Sequence, residues 1–294
     1  MKIIRNLHAM TLWSDRLRRE GVTIGFVPTM GALHDGHRAL IRAARLRCDA
    51  LVVSIFVNPA QFGPKEDLSR YPRPIARDRR LCRAEGVDVC FEPTPADMYS
   101  ERFQTSVMVP ELAGRWEGTA RPHHFGGVAT VLVKLFSLVR PHHAVFGQKD
   151  FQQAALVRRL IADLNLAVGL TVHPTVREPD GLAMSSRNVY LSPDHRRRAP
   201  VLYRALSAGR QAILDGLRDG RQVDRIMKRM MAEDRIVRPE YLAVCDAASL
   251  EPLKKVSGSV VLLGAIRIGR VRLIDNVTVA VPSAGSARRG RRSA

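Results

Sequence analysis

Cysteine is scarce: Cys48, Cys82, Cys90 and Cys245 are the four in 294 residues, and no two form a C-x-x-C pair. Their spacing fits neither a zinc site nor a disulfide framework, which leaves buried free thiols packed as small hydrophobes. Aromatic residues make up 5% of the chain, too few for a stacking platform on single-stranded nucleic acid. Long apolar runs are missing too. The longest, such as Leu51–Val57, fall far short of a membrane span. The first residues, MKIIRNLHAMTLWSDRLRREG, lack an apolar signal-peptide core, so a cytoplasmic location is expected. There is no Gly-x-x-x-x-Gly-Lys-Ser/Thr loop, so the chain is not a P-loop enzyme. Neither a Ser/His/Asp order nor a repeat of 20 to 50 residues stands out. Acidic residues are outnumbered, 28 against 47 Lys and Arg, for a net charge of +19. Such an excess steers anionic ligands inward. Much of it is arginine scattered on helical segments (Arg38, Arg42, Arg45, Arg47; Arg196, Arg197, Arg198) and on the tail (Arg288, Arg289, Arg291, Arg292). It reads as a solvated basic surface, and no nucleic-acid or membrane partner is expected.

The first half alternates apolar runs with helical patterns. Val22–Val27 reads as a strand. A helix follows from His37, with Ala39, Ala43 and Leu46 at helical steps and Arg38, Arg42 and Arg45 opposite. Ala50–Val57 is a continuous apolar run, as in a strand buried on both faces. Helices are expected at Pro74–Glu85, Gly127–Val139 and Phe151–Leu164, and strands at Val87–Phe91, His143–Phe146 and Val168–His173. This alternation implies a parallel sheet with right-handed crossovers. After about Val176 the pattern changes to charged helices over Asp194–Arg235, then short strands around Tyr241–Cys245, Val260–Leu263 and Val277–Val281. The expectation is an α/β chain: a Rossmann-like domain over 1–177, a smaller α+β lid domain over 178–282, and a disordered basic tail over 283–294. The segment Asp97–His124 has weak periodicity and many turn residues, a mark of functional irregular segments.

Polar turns follow the strands: Pro28–Gly31, Asn58–Gln61, Gly147–Asp150 and Thr175–Arg177. In parallel sheets ligands bind beyond the carboxyl ends of the strands. His34 and His37 lie three apart, on one side of a helical turn. A helix start offers free N–H groups and a positive partial charge, and Gly31 and Gly36 let the backbone approach an anion. An imidazolium there can donate two hydrogen bonds to phosphoryl oxygens whose charge grows in the transition state. Lys149 can reach terminal phosphates, while Asp150 can accept from a ribose hydroxyl or cap the next helix. Ser185, Ser186 and Arg187 form a hydroxyl-rich cationic loop suited to a leaving pyrophosphate. Asn58, Gln61 and Gln153 offer neutral hydrogen bonds to a substrate bearing hydroxyls and a carboxylate.

The stretches VPTMGALHDGH (27–37), VSIFVNPAQF (53–62), DLSRYPR (67–73), RPHHFGGVATVLVKLF (121–136), VFGQKDFQQ (145–153), PTVREPDGLAMSSRN (174–188) and RLIDN (272–276) occur in one order along the chain. In them the chain resembles the pantoate–β-alanine ligases. The H-x-G-H and M-S-S-R cores also resemble signatures of class I aminoacyl-tRNA synthetases and related nucleotidylyl transferases. Against a tRNA-charging enzyme, roughly 100 C-terminal residues leave little room for an anticodon-reading domain. The resemblance implies two half-reactions, adenylation of pantoate by ATP and then attack by the β-alanine amine, with Mg2+ offsetting the triphosphate charge. It implies ATP binding by Met30, Gly31, Ala32, Leu33, His34, Asp35, Gly36 and His37, by Gly147, Gln148, Lys149 and Asp150, by the Val176 backbone, and by Met184, Ser185, Ser186 and Arg187. His37, His34 and Lys149 would be catalytic. Gln61 would hold pantoate and then β-alanine, and Gln153 pantoate. Asn58, Tyr71, Arg121 and His124 would line the pocket. The family usually forms a homodimer. Gln148 stands where many members have Glu, and Phe151 where some have Tyr.

Overall fold

The computed structural model describes residues 1–64, 66–232 and 234–281, so the tail expected to be disordered, 283–294, lies outside the described residues. The chain divides into two compact units. One comprises Met1–Val176 with Met184–Ser186, the other Arg177–Ala183 with Arg187 onward.

The first unit is built on strands β1 (Lys2–Ile4), β2 (Ile24–Thr29), β3 (Ala50–Ile55), β4 (Val89–Phe91), β5 (His143–Gly147) and β6 (Gly169–His173). All pair in parallel, in the order β1-β4-β3-β2-β5-β6. Helices α1 (Leu7–Arg19), α2 (Asp35–Arg45), α3 (Ile75–Ala84), the single turns α4 (Pro95–Met98), α5 (Pro110–Ala113) and α6 (Glu117–Ala120), α7 (His124–Val139) and α8 (Phe151–Asp163) connect them. Alternation along each strand sends side chains to opposite faces. Ile24, Phe26 and Val52 join Met10, Leu132, Phe136 and Leu156 on one face. Val27, Leu51 and Val53 join Ile41, Ala44 and Cys82 on the other. Both faces of the sheet are therefore covered, which is why the strands read as unbroken apolar runs. Helix α2 buries Ile41 and Ala44 and turns its arginines outward, where Arg42 pairs with Glu85 at 2.7 Å and Arg45 with Asp88 at 2.7 Å.

The second unit contains α9 (Pro193–Arg198), α10 (Val201–Leu214), α11 (Gly220–Ala232) and the antiparallel sheet β7 (Val237–Asp246), β8 (Gly258–Ile268) and β9 (Val271–Val281). Leu202, Leu206, Val223 and Met227 pack on Leu262, Ile266 and Val277. Arg177 ties its segment to β9 through Asp275, at 2.6 and 3.0 Å, and its guanidinium lies 3.8 Å over the Tyr203 ring. The unit boundary thus falls after Val176, one residue before the expected limit, and the chain returns to the first unit for Met184–Ser186.

The fold is α/β with a parallel sheet, plus a smaller α+β part, as the pattern implied. Three details differ. Residues 1–20 form β1 and α1, for which no element was expected. Most of the irregular Asp97–His124 segment is punctuated by single helical turns. Of the four thiols, three are buried and Cys48 is half-buried, donating to the Ala44 carbonyl at 3.2 Å.

Candidate active site

The order of the sheet locates the crevice. From β2 the chain builds outward through β3 and β4 on one side, and later through β5 and β6 on the other. The loops leaving β2 and β5 therefore diverge at a topological switch point, where open α/β sheets bind ligands. Those loops carry Met30–His34 and Gln148–Asp150.

The loop after β2 is tightly held. Thr29 Oγ1 donates to the Ser54 carbonyl at 2.7 Å and accepts from the Gly31 N–H at 3.1 Å. Gly31 and Ala32 both lie in the left-handed region, with φ of 79° and 50°. The next two amides, of Ala32 and Leu33, donate to the Asp78 carboxylate at 2.8 and 2.9 Å.

Helix α2 is then capped by its two histidines. The Gly36 N–H donates to His34 Nδ1 at 3.1 Å, and the His34 N–H donates to His37 Nδ1 at 3.3 Å. This is the reciprocal geometry of a capping box, with imidazoles in place of the usual hydroxyl and carboxylate. A Cβ on Gly36 would meet the His34 ring at 2.8 Å, so a larger residue there would push the ring out of its present place. The rings lie 4.1 Å apart between centroids. Because each Nδ1 accepts, each neutral ring carries its proton on Nε2. Burial, with the Lys149 charge second, lowers the His34 pKa to about 4, and burial, with His34 second, lowers that of His37 to about 3. Burial thus favours the neutral form of both rings, which leaves each with one N–H to offer where an imidazolium would have two.

Lys149 and Asp150 act electrostatically on both histidines, so the loops after β2 and β5 share one field. Lys149 Nζ lies 3.5 Å from Asp150 Oδ1. Asp150 stands at the N-cap of α8 and makes no side-chain cap bond there. Gly147 approaches α2 at Leu40, within 4.0 Å of where its Cβ would lie. The Val176 carbonyl accepts the Met184 N–H at 3.0 Å, and Ser186 Oγ donates to the Ala32 carbonyl at 3.1 Å. The serine segment thus reaches the β2 loop. Ser185 and Arg187 are half-buried, and Arg187 belongs to the second unit.

A second polar group follows β3. Gln61 is buried, with Nε2 3.0 Å from Met30 Sδ and Oε1 accepting from Asn58 Nδ2 at 3.1 Å. Asn58 also donates to the Gly127 carbonyl at 3.1 Å and accepts from the Tyr99 hydroxyl at 2.7 Å. Burial pushes the Tyr99 pKa up to about 12. Helix α7 presses on this turn so closely that a Cβ on Gly127 would lie 2.2 Å from the Ala60 oxygen. His124 donates from Nδ1 to the Gln61 carbonyl at 2.9 Å, and burial, then the Arg121 charge, lowers its pKa to about 4. Arg121 pairs bidentately with Glu66 at 2.8 and 2.5 Å. Tyr71 is buried, with its ring 6.1 Å from Phe62. Gln153 is half-buried, whereas its neighbour Gln152 is buried. Gln152 donates to the Leu112 and Arg115 carbonyls at 2.6 and 2.8 Å and accepts from the Glu117 N–H at 3.1 Å.

Sequence reasoning passed over Asp78, Glu66 and Gln152. Asp78 sits in an arginine-rich helix, where an acid reads as a surface ion-pair partner. Its signal would have been its place on the buried face with Cys82, four residues on.

The family described as Pantoate-beta-alanine ligase matches residues 2–278. A pantothenate synthetase of Heliobacterium modesticaldum is 49% identical over 96% of this chain and 100% of its own length. One from Thermotoga petrophila is 48% identical over 94% and 99%. Among solved structures, pantothenate synthetase from Thermus thermophilus is 45% identical, covers 94% of this chain and 99% of its own, and superposes with a TM-score of 0.90. Pantoate-beta-alanine ligase from Francisella tularensis, complexed with beta-gamma ATP and beta-alanine, is 33% identical over 94% and 97%, with a TM-score of 0.77.

Proposed function

The chain belongs to the pantoate-beta-alanine ligase family, and from that premise we propose how its own residues carry out the ATP-dependent joining of pantoate to β-alanine. In the first half-reaction a pantoate carboxylate oxygen attacks the α-phosphorus of ATP. The bond to the β-phosphate breaks, and pyrophosphate leaves with the electron pair. In the second, the β-alanine amine attacks the acyl carbon of pantoyl adenylate, the C–O bond to AMP breaks, and the nitrogen loses a proton to give pantothenate.

The observation that carries this reading is the histidine capping box at the switch point, within the field of Lys149. The two Nε2–H groups are neutral donors, fixed by the caps that their Nδ1 atoms accept. They stabilise negative charge without first gaining a proton, and the positive end of α2 adds to them. Lys149 meets the β- and γ-phosphates, Gly147 and Asp150 face the ribose, Gln148 between them belongs to the ATP site, and the Val176 backbone meets adenine. Met184, Ser185, Ser186 and Arg187 bind the nucleotide. Gln61, tethered between Met30 and Asn58, holds pantoate and later β-alanine, with Gln153, Tyr71, Arg121 and His124 around it.

Among the described residues no group of three or more His, Cys, Asp or Glu side chains gathers for a metal. Mg2+ needs no such cage, since one or two carboxylates, phosphate oxygens and water satisfy it. Asp35 and Asp150, whose charges act on His34, would be the carboxylates to hold it, and the ion would offset triphosphate charge. The same proposal has the chain working as a homodimer in the cytoplasm. No helix among the described residues is long and apolar enough to cross a membrane.

The test omits each substrate in turn. ATP, pantoate and β-alanine together should yield AMP, pyrophosphate and pantothenate in equal amounts. ADP in place of AMP would refute the adenylate route.

A further inference from the structure

Asp78 is 1% exposed although Arg77, Arg79 and Arg80 surround it in sequence. An ionised carboxylate is costly to bury unless its oxygens are hydrogen-bonded. Both of its oxygens are engaged: Oδ2 accepts the Ala32 N–H at 2.8 Å and Oδ1 the Leu33 N–H at 2.9 Å. Neither bond belongs to a helix or a strand ladder. Both come from the loop between β2 and α2, where two successive residues are left-handed. The second of these, Ala32, carries a Cβ and is disfavoured there, so something must hold it. A Cβ on Gly31 would lie 3.0 Å from Asp78 Oδ2 and 2.9 Å from Ile55 Cγ2. The loop backbone thus rests directly on the carboxylate.

The other side of the same residue is also engaged, since Ser186 Oγ donates to the Ala32 carbonyl at 3.1 Å. Ala32 is therefore gripped from α3 through its N–H and from the Met184–Ser186 segment through its C=O. One residue after this clamp comes Leu33, and then His34, the N-cap of α2.

We propose that Asp78 is a positioning residue for the adenylate-forming half-reaction. Its carboxylate fixes the left-handed Gly31–Ala32 turn that aims the His34–His37 pair and the start of α2, and leaves the Ala32 carbonyl where Ser186 can dock on it. Asp78 touches no substrate in this role. It acts through the loop backbone and through the geometry of the serine contact. The inference rests on the ligase reading above.

The test uses the full chain and the variant Asp78→Asn, whose amide group would place N–H against one of the two loop N–H donors. Two reactions are compared: pantoate-dependent exchange of labelled pyrophosphate into ATP, and aminolysis of supplied pantoyl adenylate by β-alanine. Exchange kcat/KM for ATP should fall by about 30-fold, the scale of one lost charge-assisted hydrogen bond. Both KM and kcat should contribute, while aminolysis should change by less than about 3-fold. Equal losses in both reactions, or intact exchange, overturn the proposal. A wild-type protein unable to catalyse exchange refutes the ligase reading instead. Should Asp78→Asn not fold, amide hydrogen exchange in the nucleotide-free wild type decides. The Ala32 and Leu33 amides should be slowed by at least about 100-fold, as buried bonded amides are, and exchange at unprotected rates overturns the clamp.

Discussion

Replacing His37 with alanine separates what this ring does for the helix from what it does for the reaction. For the helix, His37 Nδ1 accepts one bond, from the His34 N–H at 3.3 Å, and losing such a cap costs about 1 kcal/mol. For the reaction, Nε2–H is a preorganised donor in a partly buried site. Removing one donor of that kind costs ~2.7–4 kcal/mol of barrier, or roughly 10²–10³ in kcat. The catalytic loss should therefore exceed the stability loss severalfold. His37→Gln sharpens the comparison, because glutamine at this capping-box position can reach back to the N-cap N–H and still carries an N–H2 group. It should recover about tenfold or more of the turnover lost in His37→Ala. The assay is steady-state AMP release at saturating substrates, with a thermal melt of each variant to verify the fold. Turnover of folded His37→Ala within about tenfold of wild type would refute the reasoning. Identical kcat for the alanine and glutamine variants would show that the Nε2–H donor is not what matters.

Acid stability follows from the same rings. His34 and His37 titrate at about 4 and 3 when folded, and His124 at about 4, against 6.5 for the ordinary side chain. Below pH 6.5 the unfolded chain binds protons that the folded chain refuses. Stability should thus fall as pH drops from about 6.5 to 4, by up to ~1.4 kcal/mol per pH unit for each ring. Denaturant melts across it check this, and a flat profile contradicts the buried neutral pair. Gly127→Ala forces a methyl toward the Ala60 oxygen, 2.2 Å away. It should cost about 1–3 kcal/mol and raise KM for pantoate more than KM for ATP, as initial-rate kinetics would show. Gln152→Leu takes a donor from the Leu112 and Arg115 carbonyls and the acceptor from the Glu117 amide, while the Arg115 carbonyl keeps the Gly118 N–H at 2.7 Å, and the loss should cost about 1–3 kcal/mol. The thermal midpoint should fall by several degrees, and an unchanged midpoint would mean that water replaces the amide.

The sheet was legible because its strands are buried on both faces. Runs such as Ala50–Ile55 have nowhere to put a polar residue, so apolar continuity and strand length coincide. Helix α2 was legible from its alternating arginine and apolar steps, and the H-x-G-H site from the glycines beside the rings. Strand β1 has only the three residues Lys2–Ile4, too short for any period to register. The protonation of the histidines could not be read, because it depends on which backbone amides reach each Nδ1 and on burial by elements far along the chain. The same holds for Asp78, whose partners are amides 45 and 46 residues away. Gln152 and Gln153 are interchangeable as letters. Which one turns inward is decided by α5 and α6, in the segment whose periodicity is weakest.

The most direct test of carboxylate activation at this site is an isotope transfer. Pantoate labelled with 18O in both carboxylate oxygens is converted with ATP and β-alanine, and the products are analysed by mass spectrometry. Attack of the carboxylate on the α-phosphorus, followed by amine attack on the acyl carbon, leaves one labelled oxygen in AMP and one in pantothenate. Unlabelled AMP, with the departing label in inorganic phosphate, pyrophosphate or water, would contradict the account.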